Sequence, residues 1–596
     1  MATLDLALIG NGTIGALVDP AGEINWACFP RFDGDPMFCS LLKPGADIGF
    51  FGIELLDRVT TEQQYLQNTP VVITRMTDSA GGIIEISDFA PRFEHHGRVF
   101  CPMMLVRRVQ RIAGHPRIRV RARPAQNYGQ PLSTTTSGSN HIRYVGNALV
   151  LRLTSDVPIT AILEESAFFL HDAVTLVLGP DETLQDRADE VGRRFLAETT
   201  AYWREWVRSL AIPFEWQDAV IRAAITLKLN VFEDTGAIIA AVTTSIPESA
   251  DSSRNWDYRF CWLRDAYFVV RALNRIGATR TMEDFISYIL TIVLGRSEKL
   301  RPVYSVVPSD PMEERIEPGL RGYRGDGPVR VGNEAAMQDQ HDTYGSIILA
   351  ASPMFFDRRL PRMGDVDLFR RIEPLGEKAA QFALVPDSGI WEFRGKKRIH
   401  THSAAMCWAG CQRLEAIAAA LGLTDRAKAW GEIAAHLQSE ILTQTWNPKR
   451  QAFTAAVGSD DLDASVLLLA ELGLIEPNDP RFVSTLEAVD RELRREQHVM
   501  RYAGSDDFGL PETAFLICRF WLIDALWMTG RHDEARDRFV DALKLRNRYG
   551  LLSEDVHPTS GALWGNFPQT YSMAGLILTA MKLSRSWEDR YWRGSS

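Results

Sequence analysis

The sequence predicts a multidomain β + α protein: an antiparallel β-sandwich followed by a helical domain whose helices pair as inner and outer layers of a toroid. Two observations carry this. Up to about residue 185, short β-branched and aromatic runs alternate with Gly, Pro, Asn and Asp clusters, the spacing of sandwich strands. After about residue 186 the apolar residues recur at helical intervals in about a dozen segments, all but the first of 8 to 20 residues. An α-solenoid is the alternative for the second half, but no 34- or 40-residue repeat runs through it.

The expected strands are Thr69–Thr77, Gly82–Phe89, Pro102–Ile112, Ile118–Ala122, His141–Leu153, Ile159–Glu164 and Ala173–Leu178. In Ile118-Arg-Val-Arg-Ala, apolar and basic residues alternate, giving one dry and one wet face. The expected helices begin with Leu184–Leu210, Gln217–Asp234, Leu263–Ile276 and Met282–Leu294. Thr343–Phe356, Leu368–Phe382, Ser403–Leu421, Asp425–Thr443 and Asp463–Leu472 follow, then Thr485–Leu493, Glu512–Thr529, His532–Leu545 and Thr570–Ser584. The division is therefore a sandwich over 1–185, a helical linker over 186–215 and a helical domain over 216–596.

The chain has 596 residues, 45% hydrophobic and 24% charged, and 66 Lys+Arg against 76 Asp+Glu give a net charge of −10. Mild acidity without charge blocks disfavours nucleic acid or an anionic membrane as partner and fits a small neutral ligand. The seven cysteines form no C-x-x-C pair, which points to reduced thiols rather than a disulfide or zinc framework. With no basic, apolar leader in Met1–Val18 and no membrane-length apolar run, the expected location is the cytoplasm.

Four segments concentrate Trp, Tyr, Arg and carboxylates: Asn255–Asp265, Gly322–Asn333, Asp387–Arg394, and Leu551–Asp555 running on to Trp564–Gln569. Sugars present apolar C–H faces and a rim of hydroxyls, which flat aromatics and bidentate polar groups hold. Trp262, Trp391, Trp564, Tyr323, Arg324 and Arg394 are the candidate binding residues, although any one such Trp reads equally as a core aromatic. Glycosidic hydrolysis needs one protonated and one ionised carboxyl group, and Glu392 and Glu554 are the natural pair. Glu392, between Trp391 and Phe393, has the low-polarity surroundings of an acid; Glu554 in a helix connection opens onto water as a base. Asp265, next to Arg264, is expected to stay charged and to bind rather than catalyse. Glu334, Asp339, Asp342 and Glu512 read as helix-start carboxylates. His400 and His402 lack a third ligand, and Gly322–Gly332 lacks the Lys-Ser/Thr of a phosphate loop, so neither a metal nor a cofactor is expected.

These segments resemble the signature stretches of glycoside hydrolase family 15. Gly10–Trp26 with Pro30–Asp33 resembles the N-terminal domain of its trehalase-like bacterial branch, and Thr235–Glu248 is also similar, with Val242 in place of a more usual proline. The resemblance implies an (α/α)6 catalytic barrel and single-step inversion at the non-reducing end of an α-glucoside. It implies Glu392 as general acid, Glu554 as general base, and Arg264 with Asp265 gripping the terminal glucose. Trehalose is favoured over a short α-glucan; an inverting disaccharide phosphorylase and a non-catalytic glucan-binding protein are the alternatives. A homo-oligomer is compatible with the sequence, and Arg31, Phe32 and Asp33 are candidates to narrow the pocket from the sandwich.

Overall fold

The computed structural model describes residues 3–294, 299–308 and 312–588, so the extremes of the expected division, 1–2 and 589–596, lie outside the described residues. Two large antiparallel sheets form the N-terminal third of the chain. In one, Ala7–Gly10, Gly15–Val18, Ile24–Phe29, Phe50–Leu55, Arg117–Arg123 and Phe168–Phe169 pair in that order, with Asp35–Phe38 added beside Ile24–Phe29. The other runs Thr134–Ser137, His141–Val145, Val150–Ser155, Val174–Pro180, Leu105–Ala113, Ile83–Phe89, Val72–Asp78, Arg58–Tyr65. The alternation read in residues 118–122 holds: Ile118 and Val120 are buried while Arg119 and Arg121 stay partly open.

Two expected strands differ. Ile159–Leu163 is a short helix led by Pro158, whose fixed φ suits a helix start. His141–Leu153 is two strands, broken where the Gly146 N–H turns back to the Leu149 carbonyl.

Helix Ala188–Arg208 then packs Val191 and Phe195 against the second sheet and buries Trp203 and Val207 further along the same helix. Among the described residues, twelve α-helices follow residue 216. Leu263–Arg275, Asp342–Ala351, Thr401–Ala420, Leu468–Leu472 with its 3-10 lead Ala464–Leu467, Leu516–Met528 and Thr570–Leu583 each pack on the next. Thr570–Leu583 packs back on Leu263–Arg275, which closes the ring and excludes the solenoid. The inner helices are buried nearly all round, as Asp342–Ala351 and Thr570–Leu583 show; outer ones such as Val366–Phe382 and Pro480–Leu493 bury one stripe.

The sandwich braces the loops at one end of this barrel. The Trp26 indole donates to the Val242 carbonyl at 2.8 Å, and the Arg92 guanidinium pairs with Glu233 at 2.6 Å. Buried Arg259 joins Asp257 to the Gly34 carbonyl at 2.7 Å.

Candidate active site

Three inner helices present their N-termini to one pocket. Trp262, Arg264 and Asp265 come from the start of Leu263–Arg275, Phe515 precedes Leu516–Met528, and Gln569 and Tyr571 start Thr570–Leu583. Gln569 caps its helix by accepting the Tyr571 N–H at 2.8 Å. Helix N-termini converging on one space stabilise negative charge there, which suits a pocket carrying carboxylates.

Glu392 sits in the connection between Val366–Phe382 and Thr401–Ala420, with φ 61°. That left-handed conformation costs a non-glycine residue about 1–2 kcal/mol and marks a position fixed by its surroundings. Its backbone N–H donates to the Gly389 carbonyl at 3.2 Å, and its carbonyl accepts from the Gln338 amide at 3.0 Å. Gly389, itself at φ 68°, leaves no room for a Cβ, which would meet the His400 ring at 2.7 Å. The Glu392 carboxylate takes all three of its side-chain donors on Oε1: Trp262 Nε1 at 2.7 Å, Gln340 at 3.1 Å and Arg264 at 3.3 Å.

Glu554 lies just before the strand Asp555–Val556, which pairs with Ala514–Phe515 and Leu563–Trp564. Its carbonyl accepts from Leu516 N–H at 2.9 Å and its N–H donates to the Asn566 carbonyl at 3.1 Å, so the backbone is pinned on both sides. The Tyr258 hydroxyl donates to Oε1 at 2.6 Å, and Asn566 N–H reaches Oε2 at 3.4 Å. Gly565 makes room for this side chain, since a Cβ there would lie 2.6 Å from that of Glu554.

The surroundings of the two glutamates are the reverse of those expected. The Glu392 side chain is 24% exposed and ringed by polar donors, because Trp391 turns its indole N–H to Asp463 at 2.6 Å. Glu554 is buried, and that burial, with Asp555 and Glu248 beside it, pushes its carboxyl well above the usual range. Asp265 also departs from expectation: burial outweighs Arg264, and with Glu392 and Asp342 adding to it the carboxyl is pushed up to about 7. Arg264 is shared among Gln340 at 2.8 Å, Asp342 at 3.2 Å and Glu392 at 3.3 Å, with Asp265 at 3.6 Å.

Of the expected binding residues, Trp262, Arg264, Asp265, Trp391 and Arg394 line the pocket. Tyr323, Arg324 and Trp564 do not. Trp564, on the strand paired with Asp555–Val556, is buried edge-on to Tyr323, and the Arg324 guanidinium lies 4.8 Å from the Trp564 ring, so the three pack on one another. Arg31, Phe32 and Asp33 do not reach the pocket either: Arg31 pairs with Asp33 at 2.6 Å and Phe32 is core. Asp342 belongs to the Arg264 network, Asp339 pairs with Lys299 and Lys397, and Glu334 pairs with Arg394. Glu512 lies in a loop ahead of its helix. His400 stacks on Phe393 ahead of the helix Thr401–Ala420, and His402 lies in that helix's first turn.

Sequence reasoning passed over Tyr258, Trp256, Glu248, Arg254 and Arg501, all of which line the pocket. Tyr258 and Trp256 stood in the first aromatic segment, whereas Arg501 carried no local signal. Trp256 donates to Glu248 at 3.1 Å, has the Arg394 guanidinium 4.9 Å from its ring, and meets Phe508 edge-on. Glu248, Glu554 and Asp555 are the one described group of three carboxylates close enough to gather a cation. Arg501, which pairs with Glu248, and Arg254 at 3.9 Å from it already supply positive charge there.

Residues 216–533 match the family described as Glycosyl hydrolases family 15, and residues 3–167 match the domain described as Trehalase-like, N-terminal. The chain belongs to glycosyl hydrolase family 15. As a member of that family it is a glycoside hydrolase, an enzyme acting on O-glycosyl bonds. Similar relatives of this family 15 chain include a trehalase of Thermoplasma volcanium, 32% identical over 97% of this chain and 93% of the relative. A trehalase of Mycobacterium tuberculosis is 30% identical over 98% and 90%. Among solved structures, a bacterial glucoamylase complexed with acarbose superposes with a TM-score of 0.69 at 14% identity, covering 98% of this chain and 94% of that one. At that identity the likeness concerns the fold, a sandwich followed by an (α/α)6 barrel. No helix among the described residues is long and apolar enough to cross a membrane.

Proposed function

We propose that the protein hydrolyses trehalose, or failing that a short α-gluco-oligosaccharide from its non-reducing end, by inversion at the attacked anomeric carbon. Glu392 is the general acid and Glu554 the general base, with Trp262, Arg264 and Asp265 holding the terminal glucose and Trp391 and Arg394 completing the pocket wall. The observation that carries the reading is the meeting of Glu392 and Glu554 in one pocket, each with an ordered donor set. The preference for trehalose is supported by near-full-length relatives named trehalase.

The donor sets leave one oxygen of each carboxyl group available for proton transfer. All three side-chain donors to Glu392 meet Oε1, which leaves Oε2 to carry the proton that protonates the glycosidic oxygen. Tyr258 occupies Oε1 of Glu554, and Oε2, whose bond to Asn566 is long, takes the proton of the attacking water. Burial disfavours the ionised base, while Tyr258 and Arg501 favour it. Inversion asks for about 6.5–9.5 Å between the carboxyl groups, room for one water. A small carbohydrate is the partner, and the seven free cysteines, six of them buried, suit a reducing compartment.

The test is incubation with trehalose, maltose, isomaltose, nigerose and soluble starch, with and without phosphate, measuring glucose and glucose 1-phosphate. Phosphate-independent glucose from trehalose is expected. Glucose 1-phosphate would replace hydrolysis with phosphorolysis, and inertness towards every sugar would leave a binding protein.

A further inference from the structure

Asp555 follows Glu554 directly and has no part in the chemistry above. Its side chain is fully buried, and neither carboxyl oxygen has a hydrogen-bond partner. Carboxylate oxygens of Glu248, Glu554 and Asp555 lie within 4.8 Å of one another. The groups facing Asp555 are Glu248 and Arg254 from the 248–254 loop, Arg501, the Thr513 hydroxyl, Cys518 on its helix, and Glu554 with its Tyr258 donor. The guanidiniums are engaged elsewhere, Arg501 with Glu248 and Arg254 with Asp506 at 2.5 Å. An ionised Asp555 would be a buried charge between two other carboxylates with a single hydroxyl, that of Thr513, facing it, an arrangement burial penalises heavily. A neutral carboxylic acid avoids that penalty, and the neighbouring carboxylates offer acceptors for its proton.

We infer that Asp555 is a positioning residue for Glu554: it stands as a neutral carboxylic acid, sharing its proton with the flanking Glu248 and Glu554 carboxylates. The base then ionises beside a donor instead of a second negative charge. Burial, and after it Glu248, push the Asp555 carboxyl well above the usual carboxylate range, the direction that favours the neutral acid. The inference rests on Glu554 as the base.

Two measurements test it. In the infrared difference between wild type and Asp555→Asn, without substrate at neutral pH, a carboxylic-acid C=O band is expected in wild type and lost in the variant. Absence of that difference overturns the proton. In kinetics on trehalose, Asp555→Ala should lower kcat by about tenfold with little change in KM, and Asp555→Asn, neutral and still a donor, should recover most of it. The acid limb of kcat/KM should stay in place in Asp555→Asn. A limb moved to lower pH would mean that Asp555 is charged in the wild type, and Asn as damaging as Ala would remove the shared-donor role; either overturns the inference. Should Asp555→Ala not fold, the Asn variant decides. The infrared readout involves no substrate, so a mistaken base would show separately, as undiminished turnover in Glu554→Gln.

Discussion

Replacing Tyr258 with Phe removes one hydroxyl and leaves the ring, so its effect isolates a single hydrogen bond. That hydroxyl meets Glu554 Oε1 at 2.6 Å, the short distance of an O–H to an ionised oxygen. Burial, and then the Glu554 charge, hold the phenol well above its ordinary value, so it remains the donor throughout the working range. A hydrogen bond to a charged group contributes about 1.5–3 kcal/mol, and at 1.36 kcal/mol per unit that is about 1–2 pKa units. The bond favours ionised Glu554, so its loss raises the Glu554 pKa and moves the acid limb of kcat/KM upward by about 1–2 units. Below the limb the variant should be slower by about 10- to 100-fold, and the deficit should shrink as pH rises. The assay is kcat/KM on trehalose across pH, with circular dichroism to confirm the fold. A limb that stays put while activity falls equally at every pH would refute Glu554 as the group whose ionisation controls the reaction.

Other outcomes follow from the same geometry. Glu392→Gln and Glu554→Gln should each lower turnover on trehalose by several orders of magnitude. On α-glucosyl fluoride, whose leaving group needs no proton, Glu392→Gln should recover strongly and Glu554→Gln should not; the opposite pattern would exchange the two roles. Arg264→Met strands buried Asp342 and Asp265 without their cation, so chemical denaturation should show a loss of about 3–5 kcal/mol. Gly565→Ala should depress kcat far more than stability, because the added Cβ falls 2.6 Å from the Glu554 Cβ at φ +72°; wild-type kcat there would mean Glu554 has slack.

The fold was legible because burial imposes period: two residues in the strands and 3.6 in the helices, even where a terminus shifts, as in Ala188–Arg208 against the expected Leu184–Leu210. Short elements were not. Ile159–Leu163 is too brief for either period to declare itself, and only the preceding Pro158 marks a helix start. Within the site, the glutamates and the Trp262-Leu-Arg-Asp265 cluster stood out because the chemistry needs those residue types. Their electrostatics were hidden, since what sets them is contact with distant segments: Trp391 turns to Asp463, and Glu554 is enclosed by Glu248 and its neighbour Asp555. Trp564 and Tyr323 show the converse. Their composition suits a sugar, but they face each other, and sequence composition carries no direction.

The central claim, that water attacks one anomeric carbon directly while Glu392 protonates the departing oxygen, is tested most directly by rapid proton NMR of trehalose hydrolysis before mutarotation. One glucose should appear as the β anomer and the other as α in equal amounts, because only the attacked carbon inverts. Initial release of α-glucose alone would contradict the account.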